Sequence, residues 1–138
     1  MKNNNKVKLI PLGGMNEIGK NMFVVEYRDD IIIIDCGITF PEESMLGIDV
    51  VIPDFSYLKE NKKKIRGMVL THGHEDHIGA IPYFIKEVGN IDIYGRDLTL
   101  GLLKNKLQEH RLSDAKIHRV DAGDIIKLGK MEVEFIQT

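Results

Sequence analysis

The sequence predicts an α/β domain, with helices packed on a mixed β-sheet. Three observations carry that reading: β-rich runs fill the first part of the chain, two helical patterns alternate with short strands in the middle, and three more strand patterns close it. Lys6 to Pro11 alternates around Val7, Leu9 and Ile10 and is the first strand; Gly13-Gly14 then breaks into a loop running to Lys20. Met22 to Tyr27 and Asp30 to Asp35 are two strands joined by a hairpin at Arg28-Asp29. Ile31 to Ile34 is apolar on both faces and belongs in the sheet interior. Ile38 to Phe55, punctuated by Pro41, Gly47 and Pro53, is irregular, and Ser56 to Asn61 is a short helix or turn. Gly67 to Leu70 is a buried strand. Ala80 to Val88 is a helix with Ile81, Phe84, Ile85 and Val88 as its stripe, and Pro82 is tolerated in its first turn. Ile91 to Tyr94 is a strand, and Arg96 to His110 a second helix with Leu98, Leu102, Leu103 and Leu107 on its apolar side. Ala115 to Val120, Asp124 to Leu128 and Met131 to Ile136 are three strands, the last two joined around Gly129-Lys130.

At 138 residues the chain suffices for one domain with a modest core. Its 43% hydrophobic and 29% charged residues are ordinary for a globular protein. No apolar run is long enough for a membrane span, and the polar, asparagine-rich start does not resemble a secretion leader. A single cysteine, Cys36, excludes an internal disulfide and suits a cytoplasmic location. A net charge of −2 gives no support to non-specific nucleic-acid binding by the whole segment. The one basic run, Lys59, Lys62-Lys63-Lys64 and Arg66, lacks interleaved aromatics and reads as a solvated face rather than a phosphate patch.

The stretch with chemical content is Thr71-His72-Gly73-His74-Glu75-Asp76-His77-Ile78-Gly79. It places three imidazoles and a carboxylate between a buried strand and a helix, where a loop can aim side chains into a cleft. In extended backbone His72 and His74 face the same way and can grip one ion. Asp76 and His77 follow the turn and can reach a second. Two such ions, about 3.5–4 Å apart, can activate a shared water and clamp both oxygens of a displacement. Imidazole with carboxylate favours zinc, with manganese or magnesium as alternatives. Asp35, at the end of a buried strand, needs partners for its charge. Cys36 reads as buried packing, and His110 and His118 have no ligand-like neighbours in sequence.

This pattern resembles the signature of the metallo-β-lactamase superfamily. The blocks Leu12-Gly13-Gly14-Met15-Asn16-Glu17-Ile18-Gly19-Lys20-Asn21, Gly47-Ile48-Asp49-Val50-Val51-Ile52-Pro53-Asp54 and Thr71 to Ala80 narrow the likeness to ribonuclease J, of its β-CASP branch. The resemblance implies the first half of an αββα sandwich. Residues 1–138 would be the amino-terminal part of that domain, cut before its remainder, a further metal ligand and any β-CASP domain. It implies a metal-dependent RNA hydrolase, a 5′-to-3′ exoribonuclease with endoribonuclease activity, in which a hydroxide held by two metals attacks the phosphodiester. His72, His74, Asp76 and His77 would be the metal ligands, with Asp76 and His77 as the catalytic pair and Asp35 orienting the histidine loop without binding metal. Gly13, Gly14, Glu17 and Asn21 would border the substrate cleft, although a purely structural turn is an equal reading. Asp49 and Asp54 read first as turn caps. The resemblance further implies an RNA substrate in rRNA processing and mRNA decay, a homo-oligomer (dimer or tetramer), RNA-decay complex partners and no membrane association. Two alternatives stand beside it: a hydrolase of a small thioester, lactone or β-lactam, and a non-catalytic assembly subunit. The isolated 138-residue piece is expected to bind metal incompletely, to be inactive, and to expose a sheet face that invites self-association.

Overall fold

The computed structural model describes residues 6–13, 21–38 and 52–136, with the side chains of Glu75 and Asp76 outside that description. Six strands form one sheet in sequence order: β1 (Val7–Gly13), β2 (Met22–Tyr27), β3 (Asp30–Ile34), β4 (Ile65–Val69), β5 (Asp92–Gly95) and β6 (Lys116–Arg119). β1 to β3 pair antiparallel, and β3 to β6 pair parallel. The sheet is therefore mixed, as the sequence predicts. The antiparallel part follows from the tight Arg28-Asp29 turn, where Arg28 takes a left-handed φ of 55°. The parallel part needs crossovers, which α1 (Ser56–Glu60), α2 (Glu75–Ile78), α3 (Ile81–Glu87) and α4 (Asp97–Glu109) provide. A separate hairpin follows, β7 (Ile125–Leu128) with β8 (Met131–Glu134).

Strand alternation divides the buried side chains between two faces. Met22, Val24, Ile31, Ile33, Met68 and Ile93 meet the helices, joining Leu58, Ile81, Phe84, Leu100, Leu103 and Leu107 in the main core. Phe55 meets Phe84 edge to face within it, ring centroids 5.4 Å apart. On the other face Ile32 and Val69 are buried with Leu128 under the hairpin, and Ile126, Met131 and Val133 pack around them. The quadruple isoleucine run is central for this reason: Ile31 and Ile33 serve one face, Ile32 the other. Beyond the hairpin's reach, Val7 and Leu9 of the edge strand β1 remain exposed.

Asp30 ties the hairpin to the sheet. Its carboxylate accepts hydrogen bonds from Arg66 Nε at 2.6 Å and from the Lys130 backbone N–H at 2.7 Å. These bonds, the Arg66 one foremost, hold its pKa below the ordinary carboxylate value against the opposing effect of burial. Gly129, with φ +64°, lets the turn sit on that carboxylate; a β-carbon there would lie 2.4 Å from Asp30 Cγ.

Two sequence expectations change. The second helix does not bury Leu98 and Leu102. Leu98 is 79% and Leu102 42% exposed, whereas Thr99, Leu100, Leu103 and Leu107 are buried. The inward stripe runs i, i+3, i+7 from Leu100, and with so many leucines the pattern fits more than one phase. The helix expected from Ala80 to Val88 runs Ile81–Glu87, and a separate turn, α2, lies within the histidine stretch itself. The basic run is engaged at home: Lys59 faces Glu87 at 4.0 Å, Lys64 faces Glu26 at 3.7 Å, and Arg66 holds Asp30.

Candidate metal centre

The site begins where β3 ends. Asp35 has a φ of 63°, a left-handed conformation that excludes it from the strand expected to contain it. Aspartate tolerates this conformation better than most residues, and such backbone concentrates where a structure holds a side chain to a task. Its N–H donates to Val69 O at 3.0 Å, which pins the strand end to β4. The side chain is buried at 4% exposure, and its hydrogen-bond partners lie in the histidine loop.

Three donors converge on that carboxylate. The Thr71 backbone N–H reaches Oδ1 at 2.8 Å, the Thr71 hydroxyl reaches Oδ2 at 2.5 Å, and His77 Nδ1 lies 2.9 Å from Oδ2. A carboxylate accepting from Nδ1 assigns the imidazole proton to that nitrogen, so the ring's lone pair sits on Nε2. The backbone repeats the clamp. Cys36 N–H donates to His77 O at 2.7 Å, and Ala80 N–H to Cys36 O at 2.9 Å. Cys36 is thereby buried beside the loop, and burial first, then the Asp35 charge, raises its thiol pKa well above normal. It packs and does not react.

Within the loop the structure brings His72 and His77 together, edge to face with ring centroids 4.8 Å apart. The His74 side chain is exposed, and its carbonyl accepts from the N–H groups of His77 and Ile78, closing the α2 turn. The Asp76 side chain lies outside the described residues, and among those described no three His, Cys, Asp or Glu side chains converge as a metal cage. A histidine whose Nδ1 is held by a carboxylate, with a second imidazole beside it, is the arrangement by which proteins orient ligands for a divalent ion. On that observation the residues suit a divalent metal ion.

Of the glycine block, Gly14 and Glu17 lie outside the described residues. Gly13 ends β1 at a bulge opposite Met22, and Asn21 O accepts from Gly37 N–H at 3.0 Å, two residues from Asp35. Asp49 is also undescribed. Asp54 closes a turn just before α1, accepting from the Ser56 hydroxyl at 2.6 Å and N–H at 2.9 Å; these bonds, the hydroxyl one foremost, lower its pKa. Sequence alone did not pair His118, on β6, with Asp92 of β5 at 2.9 Å, where its ring stacks on Tyr94. The parallel register sets Tyr94 opposite His118, a contact that only strand pairing creates.

The model of the metallo-beta-lactamase superfamily matches residues 15–136. The chain belongs to the metallo-beta-lactamase superfamily. It is 46% identical over 135 residues to ribonuclease J 1 of Streptococcus pyogenes, covering 97% of this chain and 24% of that protein. It is 48% identical over 133 residues to ribonuclease J of Synechocystis, covering 95% and 21%. The chain thus spans about a quarter of the length of the curated relatives it matches. In structure it is similar to the metallo-beta-lactamase fold protein YhfI of Bacillus subtilis, with a TM-score of 0.62 at 20% identity over 97% of this chain and 54% of that one. That likeness supports the mixed sheet and its covering helices as a superfamily fold.

Proposed function

We propose that this chain carries the histidine loop of an RNA hydrolase of ribonuclease J type, one that trims RNA from its 5′ end and also cuts internally. The observation that carries the reading is the Asp35 carboxylate gripping Thr71 and His77 while His72 stands against His77. The likeness to ribonucleases J, named for RNA cleavage, supports RNA as the substrate over a small thioester, lactone or β-lactam. Presence of all four loop donors supports a catalytic over an assembly role.

His72, His74, Asp76 and His77 would hold two divalent ions. Zinc is favoured by the imidazole share, with manganese or magnesium as alternatives. Bound there, the ions would supply the Lewis acidity that makes water nucleophilic near neutral pH and offsets charge on a phosphodiester. The protein's own contribution is positional. Asp35 keeps the proton of His77 on Nδ1, and the two Thr71 bonds fix the Asp35 carboxylate. Asp76, beside His77 in α2, is assigned to position the attacking water as well as to bind metal. The remaining ligands, the cleft's second wall and a basic RNA path would come from the longer protein, acting in the cytoplasm as a homo-oligomer and with RNA-decay partners.

The test is metal content and hydrolysis of 5′-monophosphorylated RNA by the full-length protein against His74→Ala. Loss of both in the variant supports the reading; equal metal and equal turnover would refute it. The 138-residue chain alone is expected to bind metal incompletely and to turn over RNA poorly.

A further inference from the structure

We propose that Leu102 of α4 is a positioning residue for the histidine loop, supporting Gly73 so that His72 and His74 keep their places on either side of it. The inference rests on the reading of that loop as metal-binding, and deepens it. A β-carbon built on Gly73 would lie 2.6 Å from Leu102 Cδ1, 3.7 Å from Leu102 Cβ and 3.3 Å from Thr99 Cα. The backbone between the two imidazoles therefore rests directly on one turn of the helix, closer than any residue but glycine permits without something yielding.

The helix beneath is firmly seated. Leu100, Leu103 and Leu107 are buried in the main core. Leu100 closes on Gly95, where a β-carbon would sit 3.2 Å from Leu100 Cδ2. Leu102 is on a different face. It is 42% exposed, so the core does not account for its presence, and its nearest use is the loop. The loop is then held in three places. Asp35 fixes Thr71 at one end and His77 at the other, and α4 supports the middle. Ligands held before the ion arrives lose less freedom on binding, so a looser middle weakens affinity without dismantling the fold.

The experiment compares wild type, Leu102→Ala, Leu102→Met and His74→Ala in the full-length protein. It reads amide hydrogen exchange at Gly73 and His74 without metal, and zinc affinity by calorimetry. In Leu102→Ala, exchange at those amides is expected to speed up about fivefold or more, and zinc affinity to fall about tenfold. The melting temperature should change little, as the side chain is half exposed. Leu102→Met keeps the volume and should restore both readouts. If Leu102→Ala does not fold, Leu102→Val is read in its place, with a smaller effect in the same direction. Unchanged exchange in the truncated variant, or faster exchange with unchanged zinc affinity, overturns the proposal. Equal, negligible zinc binding by wild type and His74→Ala would instead sink the metal reading, while the exchange comparison would still decide whether Leu102 holds the loop.

Discussion

The Asp35 carboxylate and the His77 imidazole, 42 positions apart in the chain, meet at 2.9 Å, and the same carboxylate holds the backbone and hydroxyl of Thr71. Replacing Asp35 by asparagine keeps the shape and changes the chemistry. If the amide oxygen accepts from the Thr71 N–H, the amide NH₂ faces His77 Nδ1 and drives the imidazole proton to Nε2. Zinc affinity of Asp35→Asn should fall about 10–100-fold, and the tautomer switch should be visible in nitrogen NMR of His77. Wild-type affinity in the variant would show that Asp35 does not orient the ligand.

The two leucine faces of α4 separate burial from composition. Leu103→Ala should cost about 2–5 kcal/mol, since its side chain is fully buried. Leu98→Ala should fall within about 0.5 kcal/mol of wild type, since its side chain is 79% exposed. Urea unfolding of both variants measures this, and comparable losses would mean the helix is rotated from the phase described.

Asp30 makes a prediction about acid. Its folded pKa lies below the ordinary value because Arg66 and the Lys130 N–H favour the charged form. The bound carboxylate therefore adds stability above the unfolded pKa of about 3.9, and that increment is lost as pH falls through the lower folded value. The stability gap between wild type and Asp30→Asn should be full at neutral pH and close below about pH 4. A gap independent of pH would assign the effect to shape alone.

Tyr57 gives the opposite sign. Its hydroxyl donates to the buried Glu26 carboxylate, and that bond first, with burial and the Glu26 charge, raises its pKa to about 12. Neutral tyrosine is thus favoured in the fold, so its contribution is complete below the unfolded value of about 10 and is lost as pH rises through about 12. Ultraviolet titration should show a tyrosine ionising near pH 12, and Tyr57→Phe should remove that step, while Tyr94, whose pKa burial and then the Asp92 charge also raise, keeps its own late ionisation.

How much of the site could be read in advance depends on distance along the chain. The proposed ligand set is local: its members fall between positions 72 and 77, a spacing that can be read without any tertiary contact. Asp35 stood out because a charge at a strand end needs partners, and the clamp supplies them. Extended backbone, which suggested that His72 and His74 share an ion, gave no sign of the ring contact between His72 and His77, where α2 turns the chain after His74. The outward phase of Leu98 and Leu102 was hidden by a helix rich in leucine, where several stripes satisfy the same periodicity.

By itself the sequence determined the strand and helix order, the mixed sheet, the buried isoleucine strand and the cluster of metal-type donors, because each is written in residues a few positions apart. Only the tertiary structure decided which imidazole Asp35 grips, that His118 meets Asp92, that Asp30 anchors the β7–β8 turn and that Gly73 rests on Leu102. Those pairs join separate elements, and register and helix phase, set by the packing of the whole core, bring them within reach.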